Sequence, residues 1–149
     1  MRYKRFEDLP VWQAAIELAV AAFALMSHPV FKSHYRLREQ FESAALSVSN
    51  NIAEGFERGT NKELLMFLYI ARGSAGETRS MCRMFERFSR FSEVGEPTGA
   101  IASKAENCSQ QLKAWISTIQ NSSFKGERYV TQKLKRSELL ERHRDTLSE

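Results

Sequence analysis

NKELLMFLYIARGSAGETRSMCRMFERFSRF, residues 61–91, contains no proline and keeps helical spacing along its whole length. At about 100° per residue, Phe67, Ile70, Ser74, Thr78, Met81, Phe85 and Phe88 fall on one side. Arg72, Arg79, Arg83, Arg87 and Arg90 fall on the other. The segment therefore predicts one long amphipathic helix carrying an apolar face and an arginine stripe. With a rise of about 1.5 Å per residue the stripe would run roughly 27 Å, a length that suits a polyanion backbone better than a small ligand. The same stripe also reads as a solvated face, because Glu86 stands at helical spacing from Arg83 and Arg90 and can neutralise them. Leu65 and Leu68 share the angular sector of the later arginines, so the helix begins apolar nearly all round.

Upstream, Gly55 and Gly59 punctuate the chain, and Thr60 followed by Glu63 forms a capping-box pattern at the start of the long helix. The helix before that turn is expected over about Arg36 to Glu57, with Phe41, Ala44, Ala45, Val48, Ile52 and Phe56 inward. A short turn makes the two helices an antiparallel hairpin, in which facing positions sum to about 118. That register sets Ala44 beside Ser74, Asn51 beside Phe67, and Gln40 within hydrogen-bonding reach of Glu77. Glu54 and Glu77 sit at the edges of small-residue segments where a carboxylate could be partly buried, and a structural role suits both better than acid-base work.

Asp8 before Pro10 reads as a capping acid followed by a proline at the first helical position. The helix from about Pro10 to Ser27 carries two apolar stripes: Trp12, Ile16, Ala19, Phe23 and Met26, expected to face the core, and Ala14, Leu18, Ala21 and Leu25 behind them. One helix of a small bundle buries one face, so Leu18 and Leu25, with Leu65 and Leu68, are expected to be exposed on a single chain and covered by another subunit. Ser92 to Pro97 reads as a loop, and Thr98 as the cap of a last helix whose Ile101, Ala105, Cys108, Leu112, Trp115 and Ile119 continue the core pattern. Residues 1–122 thus form an all-α, antiparallel up-down four-helix bundle. Residues 123–149 form a tail, expected to be intermittently helical or disordered, whose stretch from Lys125 has seven basic and five acidic residues.

Composition narrows the function. The net charge of +4 comes from 22 basic and 18 acidic side chains, so basicity matters only where it is local. Cys82 and Cys108 have no metal or disulfide spacing and read as packed thiols in a reducing cytosol. The apolar run from Leu18 to Met26 is too short for a membrane span and lacks a signal-peptide pattern, which implies a soluble, cytoplasmic protein. His28, His34 and His143 do not converge with a nucleophile or with other metal ligands, and no glycine-rich phosphate loop follows a strand. The expectation is a protein with no enzymatic activity, metal or cofactor.

Three motifs carry a resemblance: FEDLPVW from Phe6 to Trp12, SVSNNIAEG from Ser47 to Gly55, and FLYIARGSAGE from Phe67 to Glu77. Together they resemble the four-helix bundle family of 23S rRNA intervening sequence proteins, over roughly Tyr3 to Gln120. Asn51, Ile52, Ala53, Glu54 and Gly55 match the first helix-two motif, and Ala71, Gly73, Ser74 and Glu77 match the helix-three motif. The resemblance implies a ring-shaped homopentamer. It also implies a fold similar to the accessory variability protein of diversity-generating retroelements, a basic pentamer that associates with a reverse transcriptase and binds nucleic acid. Two functions remain open. One is a nucleic-acid-binding accessory protein that contacts RNA or DNA backbone through the arginine stripe, beside a reverse transcriptase. The other is a protein-interaction scaffold whose ring face and tail dock another protein.

Overall fold

The computed structural model describes residues 3–122; the basic tail of residues 123–149 lies outside them. Four helices make the bundle: α1 (Pro10–Met26), α2 (Tyr35–Glu57), α3 (Asn61–Arg87) and α4 (Gly95–Asn121). Short 3-10 segments stand before α1 (Phe6–Asp8), before α2 (Pro29–Phe31) and before α4 (Ser89–Val94), and no strand occurs among the described residues. α1 and α3 each pack against α2 and α4, so α1 and α3 are diagonal partners.

The helix starts follow local chemistry, with two departures from the sequence reading. At α3 the Thr60 hydroxyl accepts from the Glu63 amide at 3.2 Å, the N-cap bond of the expected capping box, and donates to the Glu63 carboxylate at 2.8 Å. At α1 the cap is Leu9 rather than Asp8, which belongs to the preceding 3-10 turn, and Pro10 takes the first helical position. Thr98 caps nothing: α4 begins at Gly95, and the buried Thr98 hydroxyl donates to the Val94 carbonyl at 2.7 Å. The expected loop from Ser92 is a 3-10 segment running directly into α4. α3 itself stops at Arg87, where Phe88 turns extended, so Arg90 and Phe91 have left the helix.

The core corrects the choice of stripe on α1. Val11, Ala15, Leu18, Ala22 and Leu25 are buried, together with Ala19 and Met26 of the stripe expected inside, whereas Phe23 is 41% and Val20 67% exposed. Leu18, Leu25 and Leu68 are therefore core residues of a single chain, and Leu65 is half-buried. They are not the uncovered face that the sequence pattern suggested. The physical reason is volume. The helices that pack on α1 bury Ala44, Ala45, Ala102 and Ala105, and such close approach favours alanine and leucine, so Trp12 packs only partly against the core and Phe23 stays outside it. On α3 the buried row is small in the middle, Ala71, Ala75, Thr78 and Cys82, between Leu64 and Leu68 at the start and Phe85 at the end. Ile70 and Phe88, expected on the apolar face, are 46% and 49% exposed.

The hairpin seam brings Gln40 to Glu77 as expected, but Ser74 meets Ser47 rather than Ala44 and Phe67 lies against Gly55 rather than Asn51, about one helical turn along. Ser47 and Ser74 hydroxyls meet at 2.9 Å, and the Asn51 amide donates to the Ser47 carbonyl and hydroxyl at 2.8 and 2.9 Å. Gly55 is required by closeness: a Cβ there would stand 2.8 Å from the Phe67 Cβ. Gln40 Nε2 does reach Glu77 Oε1, at 3.4 Å, but both residues are exposed. Glu54 is exposed as well and pairs with Arg58 one turn later at 3.0 Å. Neither carboxylate is partly buried, because each projects from the outer edge of its helix.

Candidate nucleic-acid interface

The arginine line follows from helix geometry. Arg72, Arg79, Arg83 and Arg87 recur every seven or four residues, which returns them to nearly one azimuth. That azimuth is about a quarter turn from the centre of the buried row, not diametrically opposite it. The line thus runs along the α3 edge that borders α4, where Arg79 Nη1 lies 3.6 Å from Glu106 Oε1. The half turned farthest to solvent carries Met66, Ile70, Gly73, Glu77, Ser80 and Met84 instead.

The five arginines differ in availability. Arg83 holds both Glu86 carboxylate oxygens at 3.1 and 3.0 Å, and this bond and charge push its pKa up. Exposed pairs of this kind contribute little net stability and exchange with solvent or a competing anion. Arg72 and Arg87 have no ion pair among the described residues, and Arg87 is exposed at the last turn of α3. Arg90 has been carried around the end of the bundle. Its Nη1 lies 3.2 Å from His34 Nε2, and since arginine can only donate, that ring nitrogen is the acceptor.

What carries Arg90 there is an aromatic knot that the helical pattern did not reveal. Phe31 stacks on Phe91 at 4.8 Å, Phe85 meets Phe31, Phe41 and Phe91 at 5.2–5.3 Å, and His34 meets the Phe91 edge at 5.5 Å. Phe31, Phe41 and Phe85 are fully buried. The knot fastens the 3-10 turn before α2 to the end of α3. It thereby brings Lys32, His34 and Arg36 to the same end of the molecule as Arg87 and Arg90. The only forewarning in the sequence is the density of phenylalanine from Phe85 to Phe91, which helical periodicity misassigns once the helix stops at Arg87.

The thiols are no part of a site. Burial, reinforced by Glu86, pushes Cys82 up to about 12, and burial pushes Cys108 up to about 11. Both stay protonated and act as packing groups. Among the described residues no cluster of three or more His, Cys, Asp or Glu could hold a metal ion, and no helix is long and apolar enough to cross a membrane.

At the opposite end, an open groove of about 1160 Å³ lies between the start of α3 and the end of α4, walled by Leu65, Met66, Tyr69, Ile70 and Ile119. Gln120 closes one side by donating to the Tyr69 hydroxyl at 2.6 Å.

The model of one protein family, described as 23S rRNA-intervening sequence protein, matches residues 7–114. The match runs from the turn before α1 into the last third of α4. No curated protein gives a significant match.

Proposed function

This chain belongs to the 23S rRNA-intervening sequence protein family, and we propose that it is a non-enzymatic accessory protein that binds the phosphate backbone of RNA or DNA. The observation that supports this reading is the row of arginines along one edge of α3. Arg72 and Arg87 have no ion pair within the described chain, and Arg79 and Arg83 are held only by exposed carboxylates. The row from Arg72 to Arg87 spans about 22 Å, and arginine's planar fork suits phosphate oxygens. Contacts of this type read charge and spacing, with little base preference. A reverse transcriptase is the protein partner that the family resemblance suggests for such a complex.

The cleanest test removes the two arginines that have no carboxylate to release. Arg72→Ala with Arg87→Ala should leave folding intact and reduce the salt slope of duplex binding by about 0.9 log unit per lost contact. Unchanged affinity and slope in the folded variant would reject the edge of α3 as the interface.

A second reading, a protein-docking scaffold, draws on the uncovered apolar surface: the groove at Met66, Tyr69 and Ile70, and Val20 with Phe23 on α1. These same faces suit a homo-oligomer, a ring of five by resemblance, in place of the leucines first expected there. A monomeric mass in light scattering would reject assembly. Capture of a protein partner that survives nuclease treatment would favour the scaffold.

A further inference from the structure

From the surroundings of the His34–Arg90 pair we infer a single-strand-selective site at the aromatic end of the bundle, where unpaired bases stack on Tyr35 and Phe88 while Lys32, Arg36, Arg87 and Arg90 hold the phosphates. The inference rests on the nucleic-acid reading above and names the form of the ligand and its seat.

The two rings are out of place as packing groups. Tyr35 opens α2 and is 64% exposed; Phe88, in the extended link between α3 and the next 3-10 segment, is 49% exposed. Both stand at the same end of the bundle. Phe88 touches Phe91 at 5.6 Å, Phe91 touches His34 at 5.5 Å, and His34 adjoins Tyr35 in the chain. The buried knot holds Phe88 by its contact with Phe91 without covering it, and Tyr35, next in the chain to His34, stays exposed at the same end, so the two accessible rings form the platform.

Charge surrounds the platform. Lys32, Arg36, Arg87 and Arg90 are all exposed, and none has a salt bridge among the described residues. The Arg38 guanidinium lies 5.9 Å from the Tyr35 ring centre, and its buried Nε has no hydrogen-bond partner. A buried donor left unused is uncommon in a folded chain, and here it belongs to the guanidinium that lies over the Tyr35 ring. The acids nearby in sequence, Glu39, Glu93 and Glu96, form no salt bridge with any of these cations.

Exposed aromatics set among cations select single strands for a simple reason. A duplex hides its base faces inside the stack and offers phosphate alone, whereas a single strand presents both. The arginine edge of α3 continues into this end through Arg87, so one strand can follow the edge and finish with its bases on the platform.

The test uses the full chain and three fluorescent probes: oligo-dT, oligo-U and a duplex of equal length. Tyr35→Ala with Phe88→Ala should weaken binding to both single strands roughly tenfold or more while leaving duplex affinity and the salt slope unchanged. Tyr35→Trp with Phe88→Trp keeps the π-faces and should restore single-strand affinity, which separates stacking from a folding defect. Single-strand binding that ignores the alanine pair, or an equal loss on the duplex, overturns the platform. Binding that persists in the alanine pair but disappears in Arg72→Ala with Arg87→Ala overturns the platform alone. Absence of binding to every probe by the native chain at low salt overturns the nucleic-acid reading itself.

Discussion

The two ends of this bundle are closed by different physics. At the hairpin end, neighbours in sequence do the work: the Thr60–Glu63 capping box starts α3, and Gly55 lets Phe67 and Leu64 come close. At the other end, closure joins segments about 50 residues apart, through Phe31, Phe41, Phe85 and Phe91. A cap needs only a hydroxyl and a carboxylate three residues apart. A knot needs the whole bundle in place before its rings can meet. The cations gather at the second end because the knot brings two loops together there, whereas the first end keeps an apolar groove.

The largest effect expected from this contrast is at the knot. Phe85→Ala removes a fully buried ring that touches three others and should cost about 3–5 kcal/mol, read from urea denaturation. A loss under about 1 kcal/mol would mean that the rings are incidental to closure.

The two buried thiols, Cys82 near the end of α3 and Cys108 in the middle of α4, give a pH test. In the folded chain they keep their protons to about 12 and about 11, against an ordinary value of 9.0. The unfolded chain releases them first and so binds fewer protons in that range. Their contribution is therefore fully present below pH 9 and declines as pH rises through 11 and 12. Replacing both by alanine should flatten the alkaline limb of stability against pH, and an unchanged limb would show that the thiols ionise readily in the fold.

The glycines sharpen the picture of the hairpin end. Gly55→Ala forces its Cβ to 2.8 Å from that of Phe67 and should destabilise by about 1–3 kcal/mol, despite alanine's higher helix propensity. Gly73→Ala meets nothing within 4 Å and should stabilise an isolated chain by about 0.5–1 kcal/mol. Opposite signs in thermal melts would confirm that only Gly55 is a packing requirement. A destabilising Gly73→Ala would instead reveal a close neighbour supplied by another molecule.

The smallest effect belongs to Glu77→Ala. Its bond with Gln40 is long and both partners are exposed, so the change should stay within about 0.5 kcal/mol. A loss above about 1 kcal/mol would show that the seam depends on this pair more than its geometry suggests.

By itself the sequence determined the helices, their antiparallel order, the capping box and the pairing of α2 with α3. Each depends on groups a few residues apart, such as Thr60 and Glu63, or on a turn short enough to fold one helix back on the other, while the side chains that meet across the seam, Ser47 with Ser74, were left to packing. Only the tertiary structure decided which stripe of α1 went inside, because Leu18 with Leu25 and Trp12 with Phe23 are about equally apolar and differ in fit. The alanines of the neighbouring helices made that choice. Tertiary contact also set the state of the arginines. Arg79 meets Glu106 on α4, and Arg90 meets His34 across 56 positions. Periodicity places a side chain on a face of its own helix, but what stands opposite that face is settled by packing between elements distant in sequence.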